Sequence, residues 1–197
     1  MNNQDINKPT RNEAEEAVRT LIRWAGDNPN REGLKDTPAR LVRSYEEFFD
    51  GYNQNPSKFL ETTFDDIGGF NDMVLLRDIS FVSFCEHHIL PIIGYVDIAY
   101  LPDQKVVGIS KIARIVEVFA KRLQIQERFT AEIAQAIDKW LKPRGVAVSV
   151  ISNHHCMSLR GVKRDEVRMQ TCHMIGEFQK DMQLKNEFLT LTSHKTK

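Results

Sequence analysis

The order in which hydrophobic periodicity changes along the chain is the strongest constraint on its fold: two helical segments, two strands, two helices, two strands. Thr10-Arg11-Asn12-Glu13 has the spacing of a capping box, and Ala14, Ala17, Val18, Leu21 and Ile22 recur at helical intervals up to Gly26 and Pro29. A second helix starts near Asp36-Thr37-Pro38, carries Leu41, Tyr45 and Phe48 as its stripe, and ends before Gly51. Met73 to Phe84 is rich in Val, Leu, Ile and Phe, and Tyr95 to Leu101 alternates through Val96, Ile98 and Tyr100, which predicts two strands joined through Cys85 to Gly94. Ser110 to Leu123 and Thr130 to Leu141 return to the helical period, and Pro143-Arg144-Gly145 stops the second of them. Val146, Val148 and Val150, then Val167 to Ile175, supply two more strands. Strand pairs on either side of a helix pair predict an α+β architecture, with helices packed on one face of an antiparallel sheet. Turn formers between Tyr52 and Asn71 set a boundary that separates an N-terminal helical region, 1–70, from a second domain, 71–197.

A chain of 197 residues with 41% hydrophobic content can bury one sizeable core with a small helical appendage. Lys plus Arg and Asp plus Glu both total 27, so no net field seeks a polyanion and bulk nucleic-acid binding is disfavoured. No run approaches the roughly 18 apolar residues of a membrane span, and the first residues lack the apolar core of a secretory signal. The expected location is the cytoplasm, away from membranes. Three cysteines in a reducing compartment argue for metal or catalytic thiols over a disulfide framework.

Those thiols stand beside histidines. Cys85-Glu86-His87-His88 contains C-x-x-H, a spacing that lets a thiolate and an imidazole close on one ion across a tight turn. Asn153-His154-His155-Cys156 supplies a second half-site at the end of a predicted strand. Strand alternation puts His154 and Cys156 on one face and His155 on the other, so His155 is expected to be a packed or hydrogen-bonded residue. With Cys85, His88 and Cys156 as ligands, two thiolates and one imidazole suit zinc and leave a fourth position open. An open position implies water acidified to a pKa of about 7, with His87 and His154 alongside as groups of near-neutral pKa.

Other readings compete with each of these. A closed structural zinc knuckle has little use for the extra histidines. Cys172 and His173, in the last predicted strand, read as core or surface residues, and Glu86 as either a solvated charge or an orienter of a ligand histidine. A zinc nucleoside deaminase would carry H-x-E and P-C-x-x-C, which are absent.

The run Cys85-Glu86-His87-His88, Gly108-Ile109-Ser110-Lys111-Ile112-Ala113-Arg114, Gln124-Ile125-Gln126-Glu127-Arg128 and His154-His155-Cys156 with Arg160-Gly161 strongly resembles GTP cyclohydrolase I. Asp36-Thr37-Pro38-Ala39-Arg40 and Glu187-Phe188-Leu189 also look like segments of that family, so the resemblance spans about Thr10 to Leu191. It implies a tunnelling fold (T-fold), in which antiparallel sheets of several subunits join into an oligomeric β-barrel, assembled as a homodecamer of two pentamers with active sites at subunit interfaces. It implies zinc on Cys85, His88 and Cys156, with His87 and His154 as the catalytic histidines. Glu127, supported by Gln126, would read the guanine edge; Ser110, Lys111, Arg114 and Arg160 would bind the triphosphate, and Arg40 would reach in from a neighbouring subunit. The reaction implied is hydrolysis of GTP to 7,8-dihydroneopterin triphosphate and formate, the first step of pterin and tetrahydrofolate biosynthesis. Two positions depart from the family pattern. Val162 to Ile175 keeps only Thr171 where most relatives have a Ser/Thr-rich strand, and His155 replaces the usual Tyr or Met before the second cysteine. A different reaction on a pterin or deazapurine is the nearest rival, and a non-catalytic zinc-stapled binding module is the rival from another class.

Overall fold

The computed structural model describes residues 7–65 and 68–193. By its contacts the chain divides into two compact units, Met1–Phe49 and Asp50–Lys197.

In the first unit, α1 (Arg11–Trp24) starts at a complete capping box. The Thr10 hydroxyl accepts from the Glu13 amide at 3.3 Å, and the Glu13 carboxylate accepts from the Thr10 amide at 2.7 Å. Helix α2 (Thr37–Phe48) carries Pro38 in its first turn, where a missing N–H leaves no helical bond unmade. The two helices pack together, with Arg11 and Glu46 3.8 Å apart.

The second unit opens with a 3-10 turn, Asp50–Tyr52, and the short helix α3 (Ser57–Leu60). A Cβ added at Gly51 would meet the Val118 carbonyl oxygen at 2.1 Å, and Leu60 is buried in the main core. The turn-rich stretch at which the sequence suggested a boundary therefore packs with the second unit. Strand β1 (Thr63–Phe64) pairs only with β4 (Val106–Val107), apart from the main sheet. In that sheet the order is β5-β2-β3-β6-β7, where β2 is Val74–Cys85, β3 Pro91–Leu101, β5 Leu123–Gln124, β6 Gly145–His154 and β7 Met169–Gly176. Neighbours run antiparallel, except that β5 joins the last two residues of β2 in parallel.

The period of two places Val96, Ile98 and Tyr100 of β3 and Val146, Val148 and Val150 of β6 on one face, all buried. Helices α4 (Ile109–Ala120) and α5 (Gln126–Leu141) cover that face with Ile112, Ile115, Val116, Phe129, Ile133 and Ile137. Each such side chain removed from water contributes about 1.5–3 kcal/mol, so this layer dominates what holds α5 against the sheet. On the opposite face, Ala99, Leu101 and Ala147 meet Phe178 of α7 (Glu177–Lys180) and Phe188 of α8 (Met182–Leu191). The helix pair thus packs on one face as expected, and two C-terminal helices close one end of the other.

Strand β2 shifts register between Leu76 and Ile79, with Asp78 at φ 58. The Asp78 amide donates to the buried Asp97 carboxylate at 2.8 Å, which fixes the irregularity and bends the strand. In the main sheet β7 forms one margin, and β2, joined by β5 only at its last two residues, forms the other. No described helix is long and apolar enough to cross a membrane.

Candidate active site

Cys85 closes β2, and the chain turns back into β3 within five residues. The Cys85 amide donates to the Leu90 carbonyl at 2.9 Å, and the Ile89 amide donates to the Cys85 carbonyl at 2.8 Å. Ile89 sits at φ 54, a left-handed conformation that is costly for a β-branched residue and is held here by those two bonds. The turn is also fastened from outside. The Glu86 amide donates to the Gln124 carbonyl at 3.1 Å, and the Glu86 carboxylate accepts from Arg128 of α5.

The second half-site is built differently from the sequence expectation. Strand β6 stops at His154, and His155–Ser158 form a single helical turn, α6, so strand alternation does not reach Cys156. His155 is nevertheless engaged elsewhere, its Nδ1 lying 3.2 Å from the Pro91 carbonyl as donor. Cys85, His88 and Cys156 each offer one ligand atom, and these atoms all lie within 4.8 Å of one another. Zinc with Zn–S of about 2.3 Å and Zn–N of about 2.0–2.1 Å sets ligand atoms roughly 3.6–3.8 Å apart, which small side-chain movements supply.

The chemistry of the three donors fits such an ion. Arg160 can only donate, and its Nη1 lies 3.0 Å from His88 Nε2, so that nitrogen accepts, and an ion bound there would take the lone pair over from Arg160. Burial pushes the Cys156 thiol up, and the neighbouring Cys85 sulfur raises it further against a smaller opposing pull from Arg160. A divalent cation removes that penalty by pairing with both thiolates.

Two histidines stand beside the three donors. His87 Nδ1 lies 3.7 Å from Cys85 Sγ and its Nε2 lies 3.9 Å from the Glu86 carboxylate, with the ring largely exposed. His154 is half-buried, and its Nε2 lies 2.9 Å from Gln126 Oε1. Burial holds its pKa below the ordinary imidazole value, partly opposed by the charge of Glu127, which stands exposed in the first turn of α5.

The sequence profile of the GTP cyclohydrolase I family matches residues 14–193. A protein of Rickettsia bellii named GTP cyclohydrolase 1 is 55% identical over 190 residues, covering 96% of this chain and 99% of the relative. The chain belongs to the GTP cyclohydrolase I family. Relatives of the same name in Maricaulis maris and Allorhizobium ampelinum are 55% and 51% identical, over 93% and 97% of this chain and 90% and 95% of theirs. The chain is accordingly an enzyme that acts on GTP.

Within one GTP cyclohydrolase I chain the expected site residues fall into separate groups. Cys85, His87, His88, Glu127, His154, Cys156 and Arg160 gather around the turn after β2 and the start of α5. Ser110, Lys111 and Arg114 do not join them. The C-terminal end of α4 adjoins the C-x-x-H turn, because the Ser83 hydroxyl donates to the Arg122 carbonyl at 3.3 Å and β5 pairs with Cys85. Lys111 lies nine residues back along the helix, roughly 14 Å from Ala120 at 1.5 Å per residue. Arg114 instead stands over the Phe59 ring at 5.8 Å and lines an open cleft of about 670 Å³ with Arg77, Asp78, Phe81, Glu117 and Lys121. Arg40 lies on α2 in the first unit, paired with Asp36 at 3.2 Å.

Gln126, expected from the resemblance to support the guanine edge, makes a set of contacts within the chain. It opens α5 on the side that faces the sheet and is 2% exposed. Its Nε2 donates to the Val150 carbonyl (3.1 Å), the Met169 carbonyl (3.1 Å) and Thr171 Oγ1 (3.2 Å), while its Oε1 accepts from Ser152 (2.6 Å). Sequence reasoning missed Ser152, Thr130 and Arg128, whose partners are far away in the chain. One signal was available: Thr171, the sole hydroxyl kept in its strand, binds Gln126 and Thr130.

Proposed function

We propose that this chain hydrolyses GTP to 7,8-dihydroneopterin triphosphate and formate at a zinc ion held by Cys85, His88 and Cys156. The observation that carries the reading is the convergence of three ligand atoms with two histidines, His87 and His154, that ligation does not require. Zinc, when bound, supplies Lewis acidity that brings water to a pKa of about 7 for addition at carbon 8 of the purine. The residues around it divide the remaining work. Glu127 accepts hydrogen bonds from the guanine ring nitrogen and exocyclic amine, a pattern adenine does not offer. His154 takes up the proton that the water releases as it adds at carbon 8 and passes it to nitrogen 7 so that the imidazole ring opens, and its lowered pKa suits it to give that proton up. His87, exposed at the mouth of the turn, serves the later proton transfers as the ribose opens and recloses into the pterin.

A triphosphate brings about four negative charges and requires several cations. Arg160 stands at the Cys85, His88 and Cys156 group, whereas Arg114 is turned to the Phe59 ring and its cleft and Ser110 and Lys111 stand in the first turn of α4. A neighbouring copy brings them to it. Apart from β5 at its last two residues, β2 stands at one margin of the main sheet and β7 at the other, and joining one margin to the other extends the sheet from chain to chain until it closes into the barrel of a tunnelling fold. The assembly is a decamer of two pentamers, to which Arg40 of an adjacent chain adds a further phosphate contact. The enzyme works in the cytoplasm at the first step of pterin and tetrahydrofolate synthesis.

The test is to incubate zinc-quantified protein with GTP and measure formate together with the fluorescent pterin formed after oxidation. Stoichiometric formate and pterin are expected. Bound zinc with neither product would leave a zinc-stapled binding module instead.

A further inference from the structure

Gln126 is buried, and every hydrogen-bonding atom of its amide is used, which fixes more than its own position. Its Nε2 faces two backbone carbonyls, those of Val150 and Met169, which can only accept. The NH2 group must therefore point at them, and the amide cannot be flipped. That leaves Oε1, which can only accept, facing both Ser152 Oγ at 2.6 Å and His154 Nε2 at 2.9 Å. His154 must then carry its proton on Nε2. Its other ring nitrogen, Nδ1, is the atom left to exchange a proton with a substrate.

From this geometry we infer that Gln126 is a positioning residue: it fixes the orientation and tautomer of His154 so that Nδ1 faces the reacting purine, and Thr171 locks Gln126 in place. The inference rests on the reading of His154 as the acid at nitrogen 7. Thr171 is the far end of the chain of bonds, its hydroxyl lying 3.2 Å from Gln126 Nε2 and 2.6 Å from Thr130 Oγ1, which in turn donates to the Gln126 carbonyl at 2.7 Å. Strand β7, helix α5 and His154 are thus tied through one amide. This explains which hydroxyl the otherwise hydroxyl-poor strand retains: the one facing Gln126, on the α5 side of the sheet.

The experiment compares Gln126→Ala, Thr171→Val and Thr171→Ser with the parent enzyme, all loaded with zinc, by steady-state kinetics on GTP and on ITP, which lacks the exocyclic amine. A positioning role predicts that Gln126→Ala lowers kcat about 100-fold while KM for GTP stays within about threefold and the preference for GTP over ITP is kept. Thr171→Val should lower kcat by roughly five- to tenfold, and Thr171→Ser should restore it, although Thr171 touches no substrate. Solid-state 15N NMR of the histidine-labelled zinc enzyme supplies a second readout. The His154 ring, identified by its loss in His154→Ala, should show a protonated Nε2 and a bare Nδ1, and Gln126→Ala should abolish that preference. A protonated Nδ1 in the parent enzyme overturns the inference, and so does a rise in KM with lost GTP preference at unchanged kcat. If Gln126→Ala fails to fold, the two Thr171 variants decide. If the parent enzyme releases no formate from GTP, the reading of the reaction fails, while the NMR result still tests the tautomer.

Discussion

Replacing Gly94 with alanine tests whether the sheet itself sets the geometry of the candidate site. Gly94 lies on β3 opposite Ser152 of β6, two residues before His154 and four before Cys156. A Cβ at Gly94 would meet the Ile151 carbonyl oxygen at 2.1 Å, Ser152 Cβ at 2.6 Å and Ser152 Cα at 2.7 Å. Two of those three atoms are backbone, so no rotamer change relieves the clash. Restoring a contact of about 3 Å requires β3 and β6 to part by nearly 1 Å, and overpacking of that kind costs about 3 kcal/mol. For a chain of this length that corresponds to a fall in Tm of roughly 6–12 °C at fixed protein concentration. The same displacement moves Ser152, and through it Gln126 and His154, so kcat should fall on the order of 100-fold. Thermal unfolding, zinc content and formate release are measured on Gly94→Ala beside Ser152→Ala, which loses the hydroxyl without the clash. A Gly94→Ala enzyme that matches the parent in Tm and kcat would refute the claim that β3 and β6 hold the site.

Three further outcomes are expected. Cys85→Ser and Cys156→Ser should each lose zinc and activity together, because a hydroxyl is a far poorer ligand than a thiolate; full zinc occupancy by metal analysis would remove them from the ligand set. Glu127→Ala should weaken GTP binding at least tenfold in a titration while leaving zinc content and Tm unchanged, since its side chain is exposed. His154→Ala should release no formate, whereas His87→Ala should release formate without forming pterin, and the reverse pattern would exchange their roles.

The long periodic segments were legible in the sequence because their signal is local. Thr10 and Glu13 cap α1 as their spacing requires, and Val96, Ile98 and Tyr100 face the core as alternation requires. Short elements were not: β1, β4 and β5 have two residues each, too few to show a period, and α7 and α8 were missed. The C-x-x-H turn could be read because it closes within four residues, and its cysteine and histidine do meet. Cys156 reached the same group by a route alternation did not describe, through the helical turn that follows His154. The side of α5 that Gln126 faces depends on Val150, Met169 and Thr171, which are 24 to 45 positions away, and no local pattern encodes it.

The distance that α4 sets between the metal turn and Lys111 has a genetic consequence. If each complete site draws its thiols from one chain and its α4 cations from the next, a Cys85→Ser chain and an Arg114→Ala chain are defective in different halves of the site. Each homo-oligomer is inactive, but in randomly mixed rings about one quarter of the sites combine an intact triad with intact cations. Two null alleles of this gene, one at the end of β2 and one on α4, would then complement one another when expressed in the same cell.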